Sequence, residues 1–199
     1  MESWHAMSWD EKDDIQKMLS VMEVDIAEAL NYVLEYKYLL RYMDNNGFIL
    51  NKASNFWGQI MPALRFTLIM KTARIFDESK DAIGFKKIIS IFEKSKYGKD
   101  AEKELDRIYL KYNSYKEYFS EIRMMRNKVF AHNDSKVYQF WKNEENMTIH
   151  RLEFEASIWG HMEEILSWAK ESIVILKSSY GDTISLHYRI QDDMGQLFE

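Results

Sequence analysis

The stretch LDRIYLKYNSYKEYFSEIRMMRNKV, residues 105–129, decides the fold of this chain. Its apolar and aromatic side chains recur at alternating intervals of three and four residues: Leu105, Ile108, Tyr112, Tyr115, Phe119 and Ile122. This spacing places side chains on one face of an α-helix. The stretch therefore predicts a long helix that packs against a core, and the same spacing continues to positions 126 and 129.

The composition extends this helical prediction to the whole chain. One proline and seven glycines among 199 residues are too few for the turns of a β-sandwich or barrel. The 46% of hydrophobic residues can bury a sizeable core, and the length fits one domain. We assign residues 1–181 to a helical domain and the polar residues 182–199 to a C-terminal extension.

Apolar spacing and helix-stop signals predict an all-α, up-down bundle of about four long helices and one short helix. The first helix begins at Ser8, where Ser8-Trp9-Asp10-Glu11 has the form of a capping box. A polar loop is predicted over residues 77–84 and an irregular segment over 133–146. The predicted helices span residues 8–44, 54–76, 85–93, 105–129 and 153–179.

Charge and cysteine content narrow the classes of function. The chain has no cysteine, which excludes disulfides, thiolate metal sites and cysteine nucleophiles. No signal peptide or membrane-spanning apolar stretch is recognised, so we expect a cytoplasmic protein without a membrane partner. The net charge of −5 does not indicate a general nucleic-acid binder, but residues 71–136 hold 16 basic and 11 acidic residues. The net positive charge of this part of the chain favours a phosphate-containing substrate. The alternative is that these residues form only a solvated helix face of mixed charges.

Arg126 falls at a position where the helical spacing calls for an apolar side chain. A guanidinium there is costly unless an anion meets it. In one interpretation the anion is a substrate phosphate that Arg126 shares with His132. In the other, Arg126 pairs with a carboxylate such as Asp77 or Asp134, and His132 merely caps the C-terminus of the helix, where a cation is favourable.

The segment Arg126-Asn127-Lys128-Val129-Phe130-Ala131-His132-Asn133-Asp134 closely resembles the signature of HEPN domains. These are small all-helical domains that are often metal-independent ribonucleases. In that signature a polar residue follows the arginine and a small residue precedes the histidine, as Asn127 and Ala131 do here. The upstream stretch Ala73-Arg74-Ile75-Phe76-Asp77 resembles the AbiU-type abortive-infection branch of the superfamily.

The resemblance implies a HEPN-like bundle and an endoribonuclease that acts as a toxin or abortive-infection effector without a metal or cofactor. His132 is expected to act as a general base on a ribose 2′-OH or as a general acid to the leaving 5′-oxygen. Arg126 would hold the phosphate in a bidentate grip and stabilise the transition state. Cleavage would leave a 2′,3′-cyclic phosphate and a 5′-hydroxyl. Asn127, Lys128 and Asp134 are expected to contact the substrate or to orient the catalytic pair.

Helix geometry limits how these two side chains meet. Six residues of regular α-helix would separate Arg126 from His132 by ~9 Å along the axis and by ~120° around it. Either the helix unwinds before His132, or a second copy of the chain completes the site. The resemblance implies the second arrangement, a homodimer with a composite active site.

A non-catalytic function is the alternative. Some HEPN domains bind nucleotides or proteins without cutting RNA, and the resemblance then implies pairing with a nucleotidyltransferase or an antitoxin. A tyrosine near the segment, Tyr118 or Tyr138, would be a modification target in that case. Catalysis requires Arg126 and His132 to be exposed in one cleft, whereas a binding module tolerates burial of either.

Overall fold

The computed structural model describes residues 11–47, 52–130 and 144–179, and within these ranges the chain is helical, without a β-strand. This confirms the predicted all-α bundle. None of the helices described is long and apolar enough to cross a membrane. The helices are α1 (Glu11–Asn45), α2 (Ser54–Ile75), α3 (Phe85–Lys94), α4 (Glu102–Ser114), α5 (Lys116–Met124), a π-helix (Met125–Phe130) that continues α5, and α6 (Glu144–Ser178).

Helix α1 is the centre of the bundle, since it packs against α2, α3 and α6. Its apolar positions recur at helical spacing, so one side of the helix enters the core. The residues of α1 that are buried at these positions are Ile15, Leu19, Met22, Ile26 and Val33. The buried face of α6 completes the core with Met162, Ile165, Ala169, Ile173 and Leu176, as its spacing predicts.

Helix α1 is also joined to α6 by an ion pair inside the bundle. Lys177 Nζ donates to Glu23 Oε2 at 2.8 Å, and both side chains are buried. Charges removed from water in this way stabilise each other, because their attraction offsets part of the solvation that each has lost.

The prediction of one continuous helix over residues 105–129 is wrong, since a turn at Tyr115 separates α4 from α5. The Ser114 hydroxyl donates to the Lys111 carbonyl at 2.7 Å, which is the kind of local side-chain bond that competes with a helix. The apolar face nevertheless stays continuous across the turn. All of its predicted members are buried except Tyr115, which is half-buried.

The last helix begins at Glu144, earlier than the predicted start near Glu153, so part of the predicted irregular segment is helical. The sequence places two glutamates at 144–145 in the first turn, where negative charge is favourable. The described residues end at 179, so the predicted C-terminal extension and the boundary at 181 lie outside them. The predicted capping box at Ser8 also falls on residues that are not described.

Candidate functional site

The backbone that carries Arg126 is a π-helix rather than an α-helix. Residues Met125–Phe130 follow directly on α5, with hydrogen bonds that span five residues rather than four. The angular spacing calculated for a regular α-helix therefore does not apply between Arg126 and Phe130. Short π-helical turns inside α-helices occur frequently at functional sites, which makes this turn the first structural indication of a site.

Arg126 lies against the loop that follows α2. Its Nη1 donates to Asp77 Oδ2 at 2.6 Å, and its Nε donates to Asn127 Oδ1 at 2.9 Å. The Arg126 side chain is 23% exposed and that of Asp77 is 15% exposed. A guanidinium has five N–H donors. Two of them are used in these bonds, so three remain for a further anion as far as the described part of the chain is concerned.

The Asp77 carboxylate is held in its ionised form. Burial alone would raise the pKa of Asp77, but hydrogen bonds from Arg126 and from Ser79 outweigh burial and lower the pKa below its usual value. The Ser79 backbone N–H donates to Asp77 Oδ1 at 2.8 Å, which closes a tight turn at the start of the predicted polar loop. Asp77 is therefore an anion at neutral pH, and it offsets part of the charge of Arg126.

The next residue, Glu78, organises a second cluster, which the sequence pattern does not predict. It accepts hydrogen bonds from Tyr112 Oη at 2.8 Å, Arg123 Nη1 at 2.9 Å and Lys86 Nζ at 3.2 Å. Burial would raise the pKa of Glu78, but these three donors lower it to about 2. Burial and the bond to Glu78 raise the pKa of Tyr112, so its hydroxyl stays protonated. The signal available in the sequence was the pair of adjacent acidic residues, Asp77 and Glu78, which follows the apolar end of α2.

The predicted site residues fall partly within the described structure. Arg126 and Asn127 lie side by side on the π-helix, with Asn127 exposed. The backbone of Lys128 belongs to the same π-helix, but its side chain is not among the parts that the structure describes. His132 and Asp134 are not among the described residues, so their place in the site stays a prediction.

Both interpretations of Arg126 retain support from this geometry. The predicted pairing with Asp77 is observed, as the structural interpretation requires. The Arg126 side chain is nevertheless 23% exposed, which leaves room for a ligand as well. An arginine held on one side by a carboxylate and open on the other is suited to phosphate binding, because two parallel N–H groups match two phosphate oxygens.

Burial argues against one detail of the non-catalytic alternative. Tyr118 is only 8% exposed, and burial strongly raises the pKa of its hydroxyl. A modifying enzyme needs access to the hydroxyl, so Tyr118 is a poor modification target. Tyr138 lies outside the described ranges. Over those ranges, no group of three or more His, Cys, Asp or Glu side chains is arranged to hold a metal ion.

Comparison with known proteins adds one match. The family model HEPN_AbiU2, described as AbiU2, matches residues 12–167. The match includes α1 to α5, the π-helix and most of α6, together with the Arg126 and His132 positions. Comparisons with curated proteins and with solved structures found no match.

Proposed function

The chain belongs to the AbiU2 family of HEPN domains, and from this we propose that it is a metal-independent endoribonuclease that acts in the cytoplasm as a toxin or abortive-infection effector. The family supports the coarser statement, a HEPN-type protein related to abortive infection. One observation carries the proposed activity. Arg126 lies on a π-helix and is anchored by Asp77 and Asn127, and within the described part of the chain three of its five N–H donors are left for a phosphate.

The proposed chemistry assigns one task to each side chain. His132 takes the proton from a ribose 2′-OH or gives one to the departing 5′-oxygen, because an imidazole titrates near neutral pH. The 2′-oxygen attacks the adjacent phosphorus, and the bond to the 5′-oxygen breaks. Arg126 stabilises the negative charge that accumulates on the phosphate oxygens. The products are a 2′,3′-cyclic phosphate and a 5′-hydroxyl.

We further propose that two copies of the chain form the site together, with Asn127, Lys128 and Asp134 contacting the RNA or orienting Arg126 and His132. The π-helix changes the direction in which the chain leaves Arg126 but does not remove the need to bring His132 onto the same phosphate. A homodimer meets this need by supplying an arginine and a histidine from different copies. An antitoxin partner would then restrain the active dimer.

The first experiment is a cleavage assay on a mixed-sequence single-stranded RNA in EDTA. Wild-type protein is compared with His132→Ala and Arg126→Ala, and Lys94→Ala at the end of α3 serves as a control cation. We expect cutting by wild type and by the control, cyclic-phosphate ends, and no cutting by the other two variants. An RNA of the same sequence with 2′-deoxy sugars should stay intact. Wild-type activity in both site variants would overturn the assignment.

A mixing experiment tests the composite site. His132→Ala and Arg126→Ala proteins are each inactive in the proposal, but a mixed dimer retains one intact arginine and one intact histidine on different copies. Recovery of cutting after the two variants are mixed and allowed to exchange subunits supports the shared site. If mixed dimers form and remain inactive, the two copies do not build a shared site from the arginine of one and the histidine of the other.

The ion pair with Asp77 favours a second candidate function. It neutralises part of the charge of Arg126, as a structural role would. In that case the protein is a non-catalytic nucleotide-binding or interaction module that pairs with a nucleotidyltransferase or an antitoxin. The same assay separates the two functions, since a folded, dimeric wild-type protein that leaves RNA intact in EDTA and in Mg²⁺ supports this second candidate.

A further inference from the structure

Two consecutive carboxylates hold two arginines that are three residues apart. Asp77 bonds Arg126 at 2.6 Å, and Glu78 bonds Arg123 at 2.9 Å. Residues at this spacing are neighbours on the surface of a helix. The loop after α2 therefore clamps the place where α5 passes into the π-helix.

Asp77 is the fixed member of its pair. The ring of the preceding residue, Phe76, is buried and stacks on Phe119 with centroids 4.2 Å apart. The other end of the loop closes on Asp77 at Gly84, where a Cβ would lie 2.1 Å from the Asp77 carbonyl oxygen. With the Ser79 backbone N–H on its carboxylate, Asp77 is held by the core and by its own loop independently of Arg126. An arginine side chain has several rotatable bonds, so Arg126 is the member that needs orientation.

We propose that Asp77 is a positioning residue for RNA cleavage, which holds one side of the Arg126 guanidinium and directs its remaining N–H groups at the scissile phosphate. The proposal rests on the function proposed above. Fixing a charged donor before the substrate binds removes the cost of ordering it in the transition state. The carboxylate is also an anion beside the phosphate, so it opposes ground-state binding of RNA while it favours the reaction.

If Asp77 favours the reaction but opposes RNA binding, its substitution should affect kcat and affinity differently, which a purely structural role does not predict. Asp77→Asn keeps the size of the side chain and removes its charge. We expect kcat to fall about 10- to 100-fold, in line with the cost of misplacing a catalytic group. We expect affinity for an uncleavable RNA to stay equal or become tighter, because the competing charge is gone. Asp77→Glu restores the charge and should recover part of kcat.

The test compares Asp77→Asn and Asp77→Glu with Glu78→Gln, a matched control on the next residue that binds the neighbouring arginine. For each full-length protein we would measure the unfolding temperature, kcat and KM on cleavable RNA, and the Kd for a 2′-O-methyl RNA of the same sequence. The proposal expects a loss of kcat in Asp77→Asn without weaker binding, and little change of kcat per folded molecule in Glu78→Gln. Equal losses of kcat in both variants, or wild-type kcat in Asp77→Asn, overturn it.

Failure of the proposed function gives a different result from failure of this inference. If wild type does not cut RNA, the nuclease proposal fails, and Asp77 has no catalytic arginine to position. If wild type cuts and Asp77→Asn cuts equally well, only the role of Asp77 is overturned. If Asp77→Asn loses kcat and also binds the 2′-O-methyl RNA more weakly, Asp77 supports RNA binding rather than orientation, and the inference is again wrong.

Discussion

Arg126 and Asp77 are 49 residues apart in the chain, and their side chains meet at 2.6 Å where α5 passes into the π-helix. Each belongs to one of the two sequence stretches that resemble HEPN domains, residues 73–77 and 126–134. The fold therefore brings the two stretches together through a charged hydrogen bond. This contact links the residue that would bind phosphate to a loop held by the aromatic core.

Replacing Arg126 with lysine should abolish most of the proposed activity although the charge is kept. A lysine ammonium lacks the planar pair of N–H groups that grips a phosphate on two oxygens and also reaches Asp77. We expect kcat for RNA cleavage to fall about a hundredfold, comparable to the loss of one transition-state donor in other enzymes. Steady-state kinetics on a defined single-stranded RNA measures this effect.

Arg123→Lys is the matched control for that substitution. Arg123 pairs with Glu78 as Arg126 pairs with Asp77, but it lies one turn earlier and is not assigned to the site. We expect Arg123→Lys to retain kcat within about threefold, since a surface ion pair contributes little. An equally large loss of kcat in both variants would show that the two arginines have the same role.

Gly84→Ala should destabilise the protein and displace Asp77. The added Cβ would lie 2.1 Å from the Asp77 carbonyl oxygen, so the backbone of the loop must move. We expect a loss of about 1 to 3 kcal/mol in the free energy of unfolding, typical of overpacking. Urea denaturation measures the loss. Gly58→Ala in α2 is the control, because its Cβ meets nothing within 4 Å, and there alanine should stabilise the helix by about 0.5 to 1 kcal/mol.

Glu23→Gln should cost about 3 kcal/mol of unfolding free energy, because it removes the carboxylate charge that attracts the buried Lys177 ammonium at 2.8 Å. The control is Glu28→Gln, which breaks the more exposed ion pair of Glu28 with Lys71. Pairs near solvent contribute about 0 to 1 kcal/mol. If chemical denaturation gives the same loss for both variants, the α1–α6 pair does not stabilise the bundle more than a surface pair does.

Acid should weaken the protein partly through Glu78. Its pKa in the folded chain is about 2, below the ordinary value of 4.5, so the ionised carboxylate stabilises the fold. This contribution is fully present above pH 4.5 and is lost as the pH falls towards 2. We expect Glu78→Gln to lower stability at pH 7 by about 1 to 2 kcal/mol, since solvent screens a partly exposed group.

Denaturation of wild type and Glu78→Gln between pH 7 and pH 3 tests this expectation. The difference in unfolding free energy between the two proteins should shrink as the pH falls below 4.5. A difference that stays constant over this range would mean that the carboxylate charge contributes nothing and that the glutamine loses only a neutral contact.

Periodicity predicted the buried faces well and the local breaks poorly. Leu105, Ile108 and Phe119 are buried as their spacing requires. The spacing of apolar residues can be read directly from the sequence, and it determines which face of a helix is buried. The turn at Tyr115 and the π-helix interrupt the backbone without interrupting that pattern. The spacing predicts the start of α6 too late, since the ends of helices depend on local signals that are weaker than the periodic ones.

The sequence by itself determined that the chain is an all-α bundle, which positions enter the core and that Arg126 is an unusual residue on an apolar face. Local spacing is sufficient for these conclusions. Only the tertiary structure showed that Asp77 meets Arg126, because this contact depends on the loop after α2 lying beside the π-helix. It also decided that Glu78 gathers Tyr112, Lys86 and Arg123. Contacts between residues so distant in the chain depend on how helices pack, which no local pattern specifies.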